Sequence, residues 1–269
     1  MMAIYQRVKE VEIMVCGGTL IKPKWVLTSN TCYKKLSVYA NGSWPFMVAR
    51  VHNLAAVSVS PKREINMVIS HSEYKDVNYT VANDIALMAT DTEFLVNSYI
   101  FPITLASTHL ISDSNCSFVY WNVSMPYRFN REAAPLVKVR VLVKDINNCK
   151  QWFNYTLVYS YGQICAQLSH GVIPKQHSGG PLVCNNTQVG LFSSQQESNG
   201  ETFLIFTELQ PYRKFISDVI PALRLSEMEE GATKRKFSVM FNPANSCWAL
   251  HETILLTLVI SLSNNLQHA

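Results

Sequence analysis

The sequence contains little glycine, with 10 residues in a chain of 269, about half of the ~7% that is usual in proteins. The phosphate-binding motifs GxGxxG and GxxxxGK[ST] do not occur, which argues against a nucleotide-binding loop of either kind. The net charge of +4 does not by itself indicate nucleic acid, so we predict no nucleic-acid partner. A hydrophobic fraction of 48% excludes a disordered or fibrous chain and allows a sizeable core.

The chain also lacks CxxC pairs and His/Cys clusters with zinc-like spacing, so we predict no metal site and no cofactor. Its seven cysteines leave one thiol over if the others pair. Six Asn-x-Ser/Thr sequons favour a secreted or cell-surface glycoprotein with disulfides over a cytosolic protein with free thiols. The sequon asparagines are Asn41, Asn78, Asn115, Asn122, Asn154 and Asn185.

The two ends of the sequence lack clear targeting signals. Residues 1–16 contain charged side chains and no uninterrupted apolar segment, so they are not a signal peptide, and we expect an N-terminal truncation. Residues 226–246 are polar and predict a linker, and residues 247–269, which include Cys247, form a short apolar tail. The apolar run inside this tail, at 254–262, is shorter than the ~20 apolar residues of a membrane span. Membrane attachment, including a GPI signal, and a short amphipathic or disordered tail remain alternatives.

Short apolar segments rich in Val, Ile, Tyr and Phe predict β-strands through most of the chain. They lie at 12–15, 20–27, 46–51, 67–70, 85–88, 118–121, 137–143, 182–184, 189–192 and 203–208. The one convincing helical pattern is at 210–220, where apolar residues recur on one face and Pro211 lies near the first turn. The residues alone therefore predict an all-β fold with a closing helix.

Three motifs, in this order, resemble those of the trypsin-like serine proteases, the S1 family with the chymotrypsin fold. The family sequences are CGGSLI…WVLTAAHC, NDIALL and GDSGGPLVC. The corresponding sequences here are CGGTLI…WVLTSNTC at 16–32, NDIALM at 83–88 and QHSGGPLVC at 176–184. The resemblance extends over residues 5–220, and the ordered set of motifs carries it rather than any single one.

This resemblance implies two antiparallel six-stranded barrels packed at a cleft, with a C-terminal helix. The trypsin-like domain would span 1–225, with barrels at about 1–105 and 106–210, the first of them truncated at its N-terminus, and the helix at 210–220. The resemblance also implies three disulfides, namely Cys16–Cys32, Cys116–Cys184 and Cys149–Cys165.

The family's catalytic triad is incomplete in this sequence. The resemblance places Ser178 at the nucleophile and Asp84 at the carboxylate that orients the base. Thr31 stands where the family has its histidine base, and a threonine hydroxyl is not a base at pH 7. His177 is adjacent to Ser178, but the residue before the nucleophile points away from the cleft in the family, so we do not expect His177 to replace the base.

Other positions that serve catalysis in the family are also altered. Gln176 replaces a glycine of the oxyanion hole, and His177 replaces the aspartate that pairs with the freed N-terminal amine. Val172 stands at the base of the specificity pocket, where it provides no carboxylate for a Lys/Arg preference. The pocket strand contains Ser193, and Gln195 replaces a glycine there.

These changes predict a catalytically inactive serine protease homologue, a secreted or surface glycoprotein with a binding or regulatory role. Its protein partner is not identified by the sequence, although the apolar tail resembles that of membrane-anchored family members of the reproductive tract. One alternative is a serine endopeptidase with weak or unorthodox activity through Ser178. Another is a decayed product without a selected role.

Overall fold

The computed structural model of the chain describes residues 1–39, 44–77, 80–110, 114–123, 127–128, 134–147, 149, 162–168, 173, 177–198, 200–221 and 223. The chain divides into two compact units, Met1–Ile216 and Ser217–Ala269. The predicted linker at 226–246 and the tail at 247–269, with Cys247, lie outside the described residues. Within the described part of the chain, no helix is long and apolar enough to cross a membrane.

The first unit is built mainly of β-strands. Their bounds are β1 (Met2–Val8), β2 (Val11–Lys22), β3 (Trp25–Thr28), β4 (Phe46–Val48), β5 (Lys62–Ser70), β6 (Lys75–Val77), β7 (Thr80–Ala82), β8 (Ala86–Thr90), β9 (Thr104–Leu105), β10 (Asn115–Trp121), β11 (Tyr127–Arg128), β12 (Leu136–Lys144), β13 (Gln163–Leu168), β14 (Pro181–Cys184), β15 (Thr187–Ser198) and β16 (Glu201–Glu208).

The first barrel consists of six antiparallel strands in the order β1-β4-β5-β8-β3-β2, and pairing of β1 with β2 closes it. Strand β1 was not among the predicted strands. Its residues are buried on both faces, so they do not alternate between apolar and polar in the way that reveals a half-buried strand. Met2 and Ile4 belong to the core of this barrel, whereas Ala3 and Tyr5 face a second apolar cluster.

The second barrel is the six-stranded ring β14-β10-β12-β13-β16-β15, closed by pairing of β14 with β15. The fold is therefore the pair of six-stranded barrels that the sequence resemblance implies. Asn185 and Asn186, with φ of 49° and 61°, connect β14 to β15. This is the left-handed conformation that a two-residue hairpin turn of type I′ requires.

The apolar cluster that Ala3 and Tyr5 face joins the two barrels. Tyr5 stacks on Phe46, with 5.3 Å between ring centroids, and both pack in the cluster that contains Trp121 of β10. The indole nitrogen of Trp121 donates a hydrogen bond to the carbonyl oxygen of Val51 at 3.2 Å. This contact holds one end of the second barrel against the first.

Three disulfides cross-link the described residues. They join Cys16 to Cys32, Cys116 to Cys184 and Cys149 to Cys165, the pairs that the resemblance implies. The first ties β2 to a helix, and the second ties β10 to β14. Closing a loop of ~15 residues contributes roughly 3 kcal/mol in the chain-entropy model, so these bonds offset part of the entropy that is lost when distant strands pair.

The predicted helix at 210–220 is present as a 3-10 turn at Gln210–Tyr212 followed by an α-helix at Arg213–Val219. A further α-helix, α1 (Asn30–Tyr39), was not predicted. The Ser29 hydroxyl accepts a hydrogen bond from the backbone N–H of Cys32 at 3.1 Å and so caps its first turn. We refer to the later helix, Arg213–Val219, as α2.

Gly179 lies in a tight turn before β14 and has a φ of +81°. A Cβ atom there would come within 2.3 Å of both the Gly17 carbonyl oxygen and the Thr28 hydroxyl. Gly179 is therefore required both for its backbone conformation and for the close approach of β2 and β3.

We predict that Gly179→Ala destabilises the protein by about 3 kcal/mol or more, because overpacking adds to left-handed strain. Gly200→Ala is the matched control, since Gly200 has a φ of +78° but a Cβ atom there would meet nothing within 4 Å. That variant should lose only about 1–2 kcal/mol. Urea denaturation of both variants under oxidising conditions measures the difference, and equal losses would contradict the steric argument.

Candidate active site

Asp84 lies in the turn between β7 and β8, at the junction of the two barrels. The preceding residue, Asn83, has a φ of 52°. Its side chain accepts a hydrogen bond from the Tyr212 hydroxyl at 2.9 Å and donates one to the Glu73 carbonyl oxygen at 2.8 Å. These contacts hold the turn in its left-handed conformation and direct the Asp84 carboxylate inward.

The Asp84 carboxylate is buried, with 1% of the residue exposed, and it accepts three hydrogen bonds. Thr31 of α1 donates its backbone N–H to Oδ1 at 2.7 Å and its hydroxyl to Oδ2 at 3.0 Å. Ser193 of β15 donates its hydroxyl to Oδ2 at 2.7 Å. The donors therefore come from both barrels.

Two opposing effects act on the pKa of Asp84. Burial raises this pKa above its ordinary value. The hydrogen bonds from Ser193 and Thr31 and the positive charge of Lys35 act in the opposite direction, because they favour the carboxylate. The carboxylate's position at the first turn of α1 also suits a negative charge.

Ser178 lies in the turn before β14, and its placement depends on a contact between the barrels. The backbone N–H of Gly17 in β2 donates to the Ser178 carbonyl oxygen at 3.1 Å. The residue is only 2% exposed. Its hydroxyl oxygen accepts a hydrogen bond from the amine of Lys35, with 3.0 Å between Nζ and Oγ.

Thr31 lies at the second residue of α1, beside Asp84. Its hydroxyl also contacts the Tyr74 hydroxyl at 3.2 Å. Burial raises the pKa of Tyr74 to about 12, so this phenol is neutral at physiological pH. The described groups that contact the Asp84 carboxylate therefore include no imidazole, and Thr31 supplies two hydrogen-bond donors instead of a base.

His177 packs against β10 of the second barrel and is buried, with its ring edge-on to Tyr120 at 5.2 Å between centroids. Burial lowers its pKa to about 4, despite a hydrogen bond to the backbone at Val123, so the imidazole is neutral at pH 7. Its Nε2 atom has no hydrogen-bond partner among the described residues. The described contacts of His177 are therefore with the second barrel and not with Asp84.

The remaining candidate positions divide into two groups. Ser193 and Gln195 lie on β15, where Ser193 contacts Asp84 and the amide oxygen of Gln195 is buried without a described partner. Val172 and Gln176 lie outside the described residues. No group of three or more His, Cys, Asp or Glu side chains in the described part of the chain could hold a metal ion.

Lys35 is the site residue that the sequence reasoning missed. It lies four residues after Thr31 on α1, and positions four apart face the same side of an α-helix. The sequence contains a Thr-x-x-x-Lys spacing, but this spacing places the two side chains on one face only if the segment is helical.

Comparison with known proteins identifies the family. The family model described as Trypsin matches residues 2–216, which is most of the chain. The chain belongs to the trypsin family.

Curated members of the trypsin family are related to this chain at low identity. Human granzyme M is 28% identical over 179 residues, which cover 65% of this chain and 66% of the granzyme. Trypsin-1 of Salmo salar is 25% identical over 182 residues, which cover 66% of this chain and 69% of that trypsin. The mouse kallikrein 1-related peptidase b3 is 24% identical over 214 residues, which cover 77% and 80% of the two chains.

Solved structures agree with the trypsin fold. Neuropsin, a serine protease expressed in the limbic system of mouse brain, superposes with a TM-score of 0.66 at 22% identity, covering 81% of this chain and 93% of neuropsin. Kallikrein-related peptidase 10 in complex with Zn²⁺ gives a TM-score of 0.62 at 19% identity, with the same coverage. At these identities the likeness concerns the trypsin fold alone.

We predict that Asp84→Asn lowers the free energy of unfolding by about 2–4 kcal/mol, because an amide cannot accept all three hydrogen bonds and its own N–H groups would face donors. Asp91→Asn is the matched control, since Asp91 is exposed and its side chain accepts hydrogen bonds only from the N–H and the hydroxyl of the neighbouring Thr92 among the described residues. That control should change stability by less than about 1 kcal/mol. Urea denaturation measures both, and an unaltered Asp84→Asn protein would refute a structural role for the carboxylate.

Proposed function

We propose that this member of the trypsin family does not cleave peptide bonds by the histidine-dependent mechanism and instead acts as a secreted or surface glycoprotein that binds or regulates a protein partner. The observation that carries the proposal is the pair of hydrogen bonds from Thr31 to the Asp84 carboxylate. Both donors of Thr31, its N–H and its hydroxyl, contact the carboxylate at the place where the resemblance puts the base.

Peptide hydrolysis of this kind requires a group that takes the serine proton and returns it to the departing amine. The Thr31 hydroxyl does neither at neutral pH. In subtilisin, loss of the base alone lowers turnover by roughly 10⁶-fold, about as much as loss of the whole triad. A comparable loss here would leave no useful proteolysis through a triad.

The environment of His177 supports the same proposal. In the resemblance this position holds an aspartate that pairs with a freed N-terminal ammonium. A buried imidazole with a pKa of about 4 is neutral and cannot form that ion pair. The charge on which the family's activation depends is therefore replaced by a neutral ring packed on Tyr120.

Secretion is supported by the cysteines and the sequons. Disulfides persist in oxidising compartments, and the described residues contain three. Asn115, Asn122 and Asn185 are exposed, as asparagines that receive a glycan must be. The sequons at Asn41, Asn78 and Asn154 lie outside the described residues. Membrane attachment through residues 247–269 stays a prediction.

We predict that the purified chain, secreted from eukaryotic cells behind a heterologous signal peptide, does not cleave casein or a mixed fluorogenic peptide library above the blank. Thr31→His should not restore trypsin-like turnover, because Lys35 remains on the Ser178 oxygen and positions 176 and 177 stay altered. A trypsin sample serves as the positive control. Cleavage by the wild-type chain that Ser178→Ala abolishes would overturn the proposal.

We predict that the same secreted protein carries N-linked glycans at the exposed sequons. Treatment with an amidase that removes N-glycans should reduce its mass, and peptide mapping should find conversion of Asn to Asp at Asn115, Asn122 or Asn185. Asn66, which is exposed on β5 but lies outside a sequon, is the internal control. A secreted chain with no mass change would refute the glycoprotein assignment while leaving the catalytic argument intact.

A further inference from the structure

The amine of Lys35 lies next to the hydroxyl of Ser178, and Thr31 cannot act as a base for that hydroxyl. Lys35 lies one turn of α1 after Thr31, and its Nζ atom is 3.0 Å from Ser178 Oγ. This is the distance at which a base takes the proton of a hydroxyl nucleophile. The contact spans the two barrels, because α1 belongs to the first and Ser178 precedes β14 of the second.

The neighbouring lysine behaves differently. Lys34 is exposed, and its amine lies 3.4 Å from the Asp76 carboxylate and above the Tyr74 ring. Such contacts are typical of a surface lysine. Lys35 is half-buried, and its amine forms no salt bridge with a described carboxylate. The two lysines of one helix thus have different environments, and only Lys35 contacts a nucleophile.

The burial of Lys35 also favours the neutral form of its amine. Burial lowers the pKa of Lys35 below its ordinary value, and the charge of Asp84 opposes this only in part. The imidazole of His177 is neutral, as is the Tyr74 phenol beside Thr31. Desolvation of this kind is how a lysine becomes a base near neutral pH.

We propose that Lys35 is a general base for Ser178, and that this serine–lysine pair reacts with activated acyl esters and phosphonyl fluorides. Serine–lysine pairs act as nucleophile and base on folds unrelated to this one. The proposal goes beyond the function proposed above, because it concerns the reactivity of Ser178 and not the cleavage of peptides.

The reaction with an activated ester requires only the two side chains and the ester itself. Ser178 Oγ bonds to the carbonyl carbon, and its proton moves to the lone pair of Lys35 Nζ. The bond between carbon and the leaving oxygen breaks, and a phenolate departs with the electron pair. Lys35 then returns the proton to solvent. With a phosphonyl fluoride, Oγ bonds to phosphorus and fluoride leaves.

Acylation by an activated ester requires less catalytic assistance than cleavage of a peptide does. A phenolate leaves as a stable anion, whereas the amine of a peptide must be protonated as it departs. Gln195 also replaces the glycine of the strand on which the family binds its peptide substrates. Acylation of Ser178 is therefore compatible with an absence of proteolysis. Because Ser178 is only 2% exposed, small probes are required.

The test is the second-order rate constant for labelling the purified chain with a small alkyl fluorophosphonate, read by intact mass. We predict that Lys35→Met lowers this rate constant by about 10²-fold or more, the usual contribution of a general base. Lys35→Arg should not restore it, since a guanidinium stays protonated. Lys34→Met is the matched control and should label like wild type, and Ser178→Ala should not be labelled.

The pH profile separates a base from a structural contact. The wild-type rate constant should rise with pH as Lys35 loses its proton, and it should reach a plateau. The midpoint of this rise should lie below 10.5, the ordinary pKa of a lysine. The Lys35→Met profile should lack that midpoint. Circular dichroism and urea denaturation establish that each variant is folded.

Two results would overturn the proposal. One is labelling of folded Lys35→Met at the wild-type rate or faster, which would mean that the amine only shields the serine. The other is an unlabelled wild-type chain across this pH range. Cleavage of casein would contradict the function proposed above without affecting the serine–lysine pair, so the two failures are distinguishable.

Discussion

The buried carboxylate of Asp84 is the interaction on which the arrangement of the site depends. It accepts hydrogen bonds from Thr31 on the first barrel and from Ser193 on the second. The backbone carbonyl oxygen of Asp84 accepts a further hydrogen bond from the Thr207 hydroxyl of β16 at 3.1 Å. A buried charge is tolerated only where such donors satisfy it. Loss of one partner would leave the carboxylate uncompensated, so the barrels are held in one relative position at this point.

This structural demand does not require an imidazole beside Asp84. Thr31 satisfies Asp84 with two donors, and the turn that holds Ser178 is maintained by Gly17 and Gly179. Neither requirement depends on proteolysis. Packing and hydrogen bonding therefore account for Asp84 and Ser178. The contact between Lys35 and Ser178 is a separate feature of the site.

Most strands were predictable because they combine β-branched and aromatic residues with turn signals at their ends. The motifs at 16–32, 83–88 and 176–184 then identified the barrels and named the triad-equivalent positions. Strand β1 and helix α1 were not predicted from the residues. Burial of β1 on both faces hides its alternation. The start of α1 depends on capping by Ser29 and on contact with Asp84, which lies 53 residues away along the chain.

The family, the strand content, the cysteine pairs that the family implies and the lack of a histidine before Cys32 all follow from the order of residues alone. These properties are local or are carried by motifs in order along the chain. The contact between Lys35 and Ser178, on which the proposed base depends, is instead a property of the folded arrangement. Lys35 and Ser178 are 143 residues apart, and their contact exists because the two barrels meet at Asp84 and bring one face of α1 over the turn before β14. A distance across a barrel junction is set by packing, and no spacing in the sequence encodes it.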